Sequence, residues 1–256
     1  MSQVQRPIIW EGVYETLEEA QAKGTGFTSE RWMERITGQL LNYRKEIETH
    51  SLVMPARMTD LPFLAALTDA HKIIDFGGSS GWTYDFLKKT MPQNTIYDYV
   101  IVEIEEVVCR MQAASLHAAP VSYVTNTSKL DWKRGAGKRG GGADIFYTNS
   151  VLQYVYDDAV MLEVLEELQP YWLLIEDFMG GDFDNYFSLQ NYYESRIPIR
   201  FRNRQDFIKG LNGYDLILSK PYAAEILGIA QELPMDNFPI DKRVRYGETM
   251  LFKKKI

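Results

Sequence analysis

At residues 73–82 the chain reads IIDFGGSSGW, an apolar run followed by a glycine-rich turn and the start of a helix. Glycine has no Cβ, so a turn that contains glycines lets a ligand approach the backbone closely. The first N–H groups of the following helix have no intrahelical partner and are free to bind such a ligand. In a doubly wound α/β sheet, the turn between the first strand and its helix is where nucleotide-like ligands bind.

The spacing of the glycines distinguishes two classes of ligand. The dinucleotide fingerprint G-x-G-x-x-G needs a glycine at the position of Phe76, whereas this chain reads D-x-G-x-x-x-G from Asp75 to Gly81. A carboxylate at Asp75 repels a pyrophosphate but can accept a hydrogen bond from a cationic amino group. The pattern therefore favours a ligand that carries an α-amino acid, such as S-adenosylmethionine, over the alternative of a nicotinamide-dependent oxidoreductase.

A second acidic residue lies where a ribose would be held. Glu103 ends the next predicted strand, and a carboxylate at that place can accept hydrogen bonds from both ribose hydroxyls. A simpler alternative is that the glycines only shape a tight turn and that Glu103 caps the following helix. The pattern as a whole predicts a cofactor site made of Asp75, Gly77, Gly78, Ser79, Gly81, Trp82, Glu103, Asn149 and Ser150.

Strand patterns alternate with helix patterns outward from this turn. Short apolar runs occur at residues 72–76, 97–103, 121–125, 144–149 and 171–176, and helical patterns lie between them at 82–91, 105–117 and 157–168. This alternation predicts right-handed crossovers and a doubly wound, mostly parallel Rossmann-like sheet. Two further runs, at 214–219 and 248–253, are expected to add an antiparallel edge.

The N-terminal part of the chain has a helical character. Residues 15–23 have a helix-forming composition, and Thr28 or Ser29 can cap a helix that places Trp32, Ile36, Leu40 and Tyr43 on one face. We therefore expect residues 1–70 to form an N-terminal helical preface that could act as a lid. Residues 71–256 would form the S-adenosylmethionine-binding domain.

The composition limits the class of protein. A chain of 256 residues with 45% hydrophobic residues can bury one sizeable core, and a net charge of -7 disfavours nucleic acid as a partner. The single cysteine, Cys109, cannot form an intrachain disulfide, and no apolar run reaches the length of a membrane span. We expect a cytoplasmic protein without a membrane segment or a metal site, and a homodimer remains compatible with the sequence.

The motifs resemble a family of class I methyltransferases found beside bacterial surface-polysaccharide genes. The resemblance is carried by WEGVY at 10–14, DFGGSSG at 75–81, the Val-Glu pair at 102–103 and SVLQY at 150–154. Ser79 stands where the general methyltransferase loop often has glycine, and Glu176-Asp177-Phe178 replaces an Asp-Arg-Thr-like run of many relatives. The resemblance implies methylation of a small polar acceptor, such as a sugar or a sugar-linked precursor of surface polysaccharide.

The acceptor is expected over the ends of the fourth and fifth predicted strands. Glu176, Asp177 or His50 could take the proton of a sugar hydroxyl, although both acids could also be solvated loop residues. Candidate substrate-binding residues are Tyr147, Gln153, Tyr154 and Arg200, the last in a cluster with Arg196, Arg202 and Arg204 that could bind a phosphate or a carboxylate. His71 and His117 have the pattern of surface residues at helix ends. A non-catalytic protein that binds S-adenosylmethionine is the remaining alternative.

Overall fold

The structure is a computed structural model and describes residues 8–49, 59–91, 96, 98–128, 130, 132, 142–192, 195–223 and 232–255. The strands are β1 (Trp10–Tyr14), β2 (Lys72–Phe76), β3 (Asp98–Val102), β4 (Val121–Val124), β5 (Ile145–Asn149), β6 (Trp172–Phe178), β7 (Gly180–Gly181), β8 (Tyr186–Tyr192), β9 (Ser195–Asn203), β10 (Tyr214–Pro221) and β11 (Glu248–Lys254). The helices are α1 (Glu30–Thr49), α2 (Asp60–Thr68), α3 (Trp82–Thr90), α4 (Glu105–Ala114), α5 (Ala159–Leu168) and α6 (Arg204–Gly210).

The main sheet has seven strands in the order β10-β11-β6-β5-β2-β3-β4. Strands β2 to β6 pair in parallel, β11 runs antiparallel to β6, and β10 runs antiparallel to β11. The predicted doubly wound, mostly parallel sheet with an antiparallel edge is therefore confirmed. Strand order reverses between β2 and β5, so the crevice at their carboxyl ends is the topological switch point at which such sheets bind ligands.

The strands of this sheet are buried on both faces because helices cover each face. Ile73 and Tyr147 pack on one face with residues of α1 to α4, and their neighbours Ile74 and Phe146 pack on the other with residues of α5 and α6. This alternation is the two-residue period of a strand whose two sides are both apolar. The strands therefore appear in the sequence as continuous apolar runs, because residues on both faces are buried.

A second sheet of four strands, in the order β1-β8-β9-β7, was not predicted from the sequence. Strands β8 and β9 form an antiparallel hairpin, and β1 adds to its outer edge through pairing with β8. Residues 10–14, which carry the WEGVY motif, therefore form a strand that is hydrogen-bonded to residues far along the chain. Trp10, Tyr186 and Phe201 lie in the apolar cluster that this sheet covers.

The helical N-terminal segment is confirmed in part. Ser29 Oγ accepts a hydrogen bond from the backbone N–H of Trp32 at 3.2 Å, so Ser29 caps α1, and Trp32, Ile36 and Leu40 are buried as expected. The prediction of a helix at residues 15–23 is wrong, because that segment forms turns and a single bridge between Lys23 and Arg196. The division of the chain at residue 70 stays a prediction.

Candidate cofactor and acceptor site

The turn between β2 and α3 has a shape that only glycine permits at three positions, Gly77, Gly78 and Gly81. Gly77 has a φ of +75°, and a Cβ placed on it would lie 2.4 Å from Cγ2 of Val151. A Cβ on Gly78 would lie 2.4 Å from Oδ2 of Asp75. Real Cβ atoms do not approach other atoms this closely, so the backbone of the turn packs directly on the ends of β2 and β5.

Three residues other than glycine adopt the left-handed region along the same edge of the sheet. Ser79 follows β2 with a φ of 53°, Ser150 follows β5 with 57°, and Asp177 lies near the end of β6 with 58°. Each costs about 1–2 kcal/mol relative to ordinary backbone, and such residues cluster at functional sites. Ser79, which replaces the glycine common in the general methyltransferase loop, thus stands at a position whose conformation favours glycine.

Asp75 is a buried acid beneath the turn. Tyr99 donates a hydrogen bond of 2.6 Å to Asp75 Oδ2. Burial raises the pKa of the Asp75 carboxyl to about 7; the hydrogen bond from Tyr99 opposes this rise and the charge of Glu103 adds to it. A cationic group bound above the turn would stabilise the ionised form of Asp75.

Glu103, which directly follows β3, contacts the glycine turn. Its Oε1 accepts from the Ser79 N–H at 2.9 Å, and its Oε2 accepts from the Ile104 N–H at 2.9 Å. Burial raises the pKa of Glu103 above its usual value, and these two backbone hydrogen bonds oppose part of that rise. Each carboxylate oxygen has a second lone pair, so Glu103 can still accept from a pair of vicinal hydroxyls.

Two buried polar atoms near the turn have no hydrogen-bond partner among the described residues: Ser80 Oγ and Gln153 Oε1. Helix α3 begins at Trp82, and its N-cap residue, Gly81, has no side chain to cap the first N–H groups. Trp82 itself stacks on Tyr43 of α1, with ring centroids 5.0 Å apart. Unpaired buried polar atoms are costly, so Ser80 Oγ and Gln153 Oε1 are places where a polar ligand could supply the missing partner.

His117 and Tyr123 support the turn from below, and sequence reasoning missed both. The Tyr123 hydroxyl donates to the Ser80 carbonyl at 2.8 Å, and His117 Nε2 lies 2.9 Å from the same oxygen. Arg44 of α1 lies 3.0 Å from His117 Nδ1, so a neutral His117 with the proton on Nε2 satisfies both contacts. Burial lowers the pKa of His117. The expectation that His117 is a surface residue is therefore wrong.

The ends of β5 and β6 bring three of the predicted residues together. The Tyr147 hydroxyl donates to Glu176 Oε2 at 2.8 Å, and Asn149 Nδ2 donates to the same oxygen at 2.7 Å. Glu176 is buried inside the sheet edge, not solvated. Burial raises its pKa to about 8; the hydrogen bonds from Tyr147 and Asn149 oppose this rise, and the charge of Asp60 adds to it.

Ser150 and Asp177 continue this polar network. Ser150 Oγ lies 2.7 Å from Asp177 Oδ2 and 2.8 Å from Asn149 Oδ1, and it can donate its one proton to either. The Tyr222 hydroxyl donates to Asn149 Oδ1 at 3.2 Å. The carboxyl ends of β5 and β6 therefore form a continuous set of hydroxyl, amide and carboxyl groups beside the glycine turn.

Gln153 and Tyr154 lie in the short 3₁₀ turn after β5. Gln153 Nε2 donates to the Ser150 carbonyl at 3.0 Å, and the Tyr154 hydroxyl donates to Gln190 Oε1 of the second sheet at 2.6 Å. The Tyr154 ring packs edge-on against Phe27, with centroids 4.7 Å apart. The second sheet and the N-terminal segment therefore meet the main sheet at the predicted acceptor region.

The arginine cluster has a structural function in the described residues. Arg200 donates to the Tyr156 carbonyl and pairs with Asp158, and buried Arg202 donates to the carbonyls of Leu152 and Val155. The other two arginines are also paired: Arg196 with Glu11 and Arg204 with Glu248. The contacts of Arg200 and Arg202 connect β9 to the segment before α5. Phosphate binding by Arg200 stays a prediction, and His50 lies outside the described residues.

No helix in the described ranges combines the length and the apolar character needed to cross a membrane. None of their His, Cys, Asp and Glu residues form a group of three placed to hold a metal ion.

The sequence matches no protein-family model and no curated protein. Solved structures do share the fold. One is a chain from the complex of the Haloferax volcanii Trm112 methyltransferase activator with a protein assigned as a methyltransferase. It is 12% identical, the match covers 91% of this chain and 98% of that chain, and the TM-score is 0.52. A second is a protein of Listeria monocytogenes assigned as an S-adenosylmethionine-dependent methyltransferase. It is 8% identical, the match covers 78% of this chain and 99% of that chain, and the TM-score is 0.50. This chain therefore shares the fold of these two structures.

Proposed function

We propose that this protein is an S-adenosylmethionine-dependent methyltransferase. The observation that carries the proposal is the paired arrangement at the switch point: a glycine turn above buried Asp75, with the Glu103 carboxylate in contact with that turn. A sulfonium nucleoside with an amino-acid tail is cationic at two places. Asp75 would face the ammonium of the amino-acid tail, Glu103 would accept from the ribose hydroxyls, and both carboxylates disfavour a pyrophosphate.

The residues of the turn fit the cofactor in named roles. Glu103 would accept from the ribose hydroxyls, and the backbone from Gly77 to Gly81 would lie against the methionine part above Asp75. Ser80 Oγ and Gln153 Oε1, which have no partner among the described residues, would each gain one from the ligand. When bound, the cofactor supplies an electrophilic methyl group on sulfur.

The chemistry assigned to the protein is positioning and removal of a proton. Holding an acceptor oxygen in line with the methyl group accounts for roughly 7–11 kcal/mol in well-oriented reactions, and a base adds on the order of 10²–10⁴ in rate. Glu176 in its ionised form would accept the proton of the acceptor hydroxyl. Tyr147 and Asn149 fix the Glu176 carboxyl through Oε2.

We further propose that the acceptor is the hydroxyl of a small polar metabolite, such as a sugar or a sugar-linked precursor of surface polysaccharide. The polar network from Asn149 to Asp177 supports a polar acceptor. The link to surface polysaccharide rests on the resemblance of the sequence motifs alone. Asp177 is proposed to hold the acceptor beside Glu176, with Ser150 between the two strand ends.

Thermal unfolding with added ligands tests the cofactor assignment. A ligand at 100 times its dissociation constant adds roughly 2.7 kcal/mol of stability, which raises the melting temperature by about 5–10 °C in a chain of this length. We expect S-adenosylmethionine and S-adenosylhomocysteine to give this rise and NAD to give none. A rise with NAD alone, or with none of the three, would refute the proposal.

A further inference from the structure

Helix α2 is apolar on all sides but is covered on only part of its surface. Its residues 61–67 read LPFLAAL, without a polar side chain. Leu61 and Leu64 are buried in the cluster on one face of the main sheet, whereas Phe63 is 65% exposed and Leu67 is 86% exposed. A helix that is apolar all round is normally enclosed, so we expect a further surface to cover the exposed side of α2.

The exposed side of α2 begins at β10, the last strand of the main sheet. Asp60, Phe63 and Leu67 are spaced by three and four residues and therefore share one stripe of the helix. At the start of this stripe, Asp60 Oδ2 lies 2.7 Å from Nζ of Lys220 in β10. No strand among the described residues pairs with the outer edge of β10, where Leu218 is 46% exposed. An exposed apolar stripe thus adjoins an unpaired strand edge.

A bulge at Ile217 changes the face to which the side chains of β10 point. Leu216 pairs with Phe252, which packs on the α5 and α6 face of the sheet. Leu218 pairs with Leu251, which packs on the α1 to α4 face. Ile217 has no partner in β11 and shifts the two-residue alternation by one place. Leu218 therefore lies on the same face of the sheet as α2.

This shift makes the outer edge of β10 self-complementary. Asp215 and Lys220 are five residues apart and would lie on opposite faces of a regular strand, but with the bulge between them both lie on the face of α2. An antiparallel pair of two β10 strands that sets Asp215 opposite Lys220 also sets Ile217 opposite Leu218. Opposite charges then face each other, and the exposed apolar residues meet at the centre. A two-fold interface uses the same patch on both copies and needs this kind of match.

We propose that this protein forms a two-fold homodimer in which the β10 strands of two copies pair antiparallel and their main sheets join into one sheet. The two-fold axis passes between Ile217 and Leu218, perpendicular to the sheet. It sets the two α2 helices on the same face, one on each side of the seam. The apolar stripe of each α2 is then covered by the other copy, and Asp215 is paired with Lys220 of the partner subunit.

Sedimentation velocity of the full chain tests the dimer. We expect the wild type at twice the chain mass of 29.6 kDa. Leu67→Glu alters a side chain that is exposed in the single chain, so the melting temperature should not fall, whereas the dissociation constant of the dimer should rise roughly tenfold or more. Val160→Glu is the matched control, because Val160 is 51% exposed on α5, at the other face of the sheet, and this change should leave the dimer intact.

Disulfide cross-linking tests the register. Opposite residues of an antiparallel pair have Cα atoms about 4.5–5.5 Å apart, within the range that a disulfide spans. In a Cys109→Ser background, Asp215→Cys combined with Lys220→Cys should give a covalent dimer on mild oxidation. Asp215→Cys combined with Ser219→Cys should not, because Ser219 pairs with Met250 and lies on the other face of the sheet.

Three results would overturn the proposal. One is a wild type that sediments as a monomer over the whole accessible concentration range, which would assign the apolar stripe to a different kind of partner. Another is a dimer that keeps its affinity in Leu67→Glu, and the third is equal cross-linking of the two cysteine pairs; in both cases another surface would join the copies. Neither measurement uses cofactor or methyl transfer, so the proposed function is tested separately.

Discussion

Replacement of Asp75 by asparagine should stabilise the protein at alkaline pH and not at acid pH. Asp75 is buried beneath the glycine turn, and the hydroxyl of Tyr99 donates to it. Asparagine keeps an oxygen that can accept this hydrogen bond but removes the charge. Because the pKa of Asp75 in the folded protein is raised to about 7 from 3.8, the folded state holds a proton that the unfolded chain has released.

The sign and the size follow from that difference. Between the two pKa values the folded state binds more protons, so the wild type loses stability as pH rises, by about 1.4 kcal/mol for each pH unit. A separation of about three units therefore amounts to about 4 kcal/mol above pH 7. Below pH 4 the wild-type carboxyl is protonated in both states, and asparagine gives little gain there.

Urea unfolding at pH 4, 6 and 8 measures this difference. The gain of Asp75→Asn over wild type should be small at pH 4, intermediate at pH 6, and largest at pH 8. Asp69→Asn is the matched control, since Asp69 lies at an exposed helix end and the change removes a charge without altering a buried site. A gain that is equal at the three pH values, or a loss that grows with pH, would refute the reasoning.

Three further substitutions test how the site is held, each by urea unfolding at neutral pH. Gly77→Ala should lower the free energy of unfolding by about 2 kcal/mol or more, because its Cβ would meet Val151 in left-handed backbone, whereas Gly38→Ala in open space on α1 should be neutral or stabilising by up to about 1 kcal/mol. Arg202→Met should cost about 3 kcal/mol, because it removes the buried guanidinium that donates to the Leu152 and Val155 carbonyls and one of the two arginines paired with Asp158. Ser29→Ala should cost about 1 kcal/mol through loss of the α1 cap.

Each of these expectations has a contrary outcome. Equal stability of Gly77→Ala and Gly38→Ala would mean that the turn relaxes around a Cβ. A cost below about 0.5 kcal/mol for Arg202→Met would place it with ordinary surface changes and remove its role in fixing β9. No change in Ser29→Ala would show that the Trp32 N–H is satisfied by another group.

The main sheet and the glycine turn could be predicted because their signals are local. The apolar run at 72–76 and the glycines that follow it lie within ten residues, and the same holds for β3 with Glu103. The seven-stranded sheet with its antiparallel edge followed from the alternation of such runs. Local sequence fixes these elements because both faces of each strand must be apolar.

The second sheet could not be predicted because its strands pair over a long distance. Trp10 faces Gln190 across the β1–β8 ladder, and neither segment alone shows a turn signal that ties them together. Residues 10–14 are too short to reveal a period, and they precede segments of helical composition. Tertiary pairing decided their structure, as it does for edge strands in general.

The position of His117 was missed for a related reason. It lies beyond a helix end in the sequence, where exposed polar residues are common. Its contact with the Ser80 carbonyl arises only when the segment after α4 packs beside the sheet edge. Spacing along the chain carries no signal for such contacts.

Isothermal titration calorimetry with S-adenosylhomocysteine tests the central claim most directly. We predict one site per chain in the wild type, and a roughly ten- to hundredfold weaker affinity in Glu103→Gln, as expected for loss of hydrogen bonds to a charged acceptor. Glu105→Gln, an exposed change in the first turn of α4, should bind as the wild type does. Absence of binding heat in the folded wild type, or equal affinity in Glu103→Gln, would contradict the account.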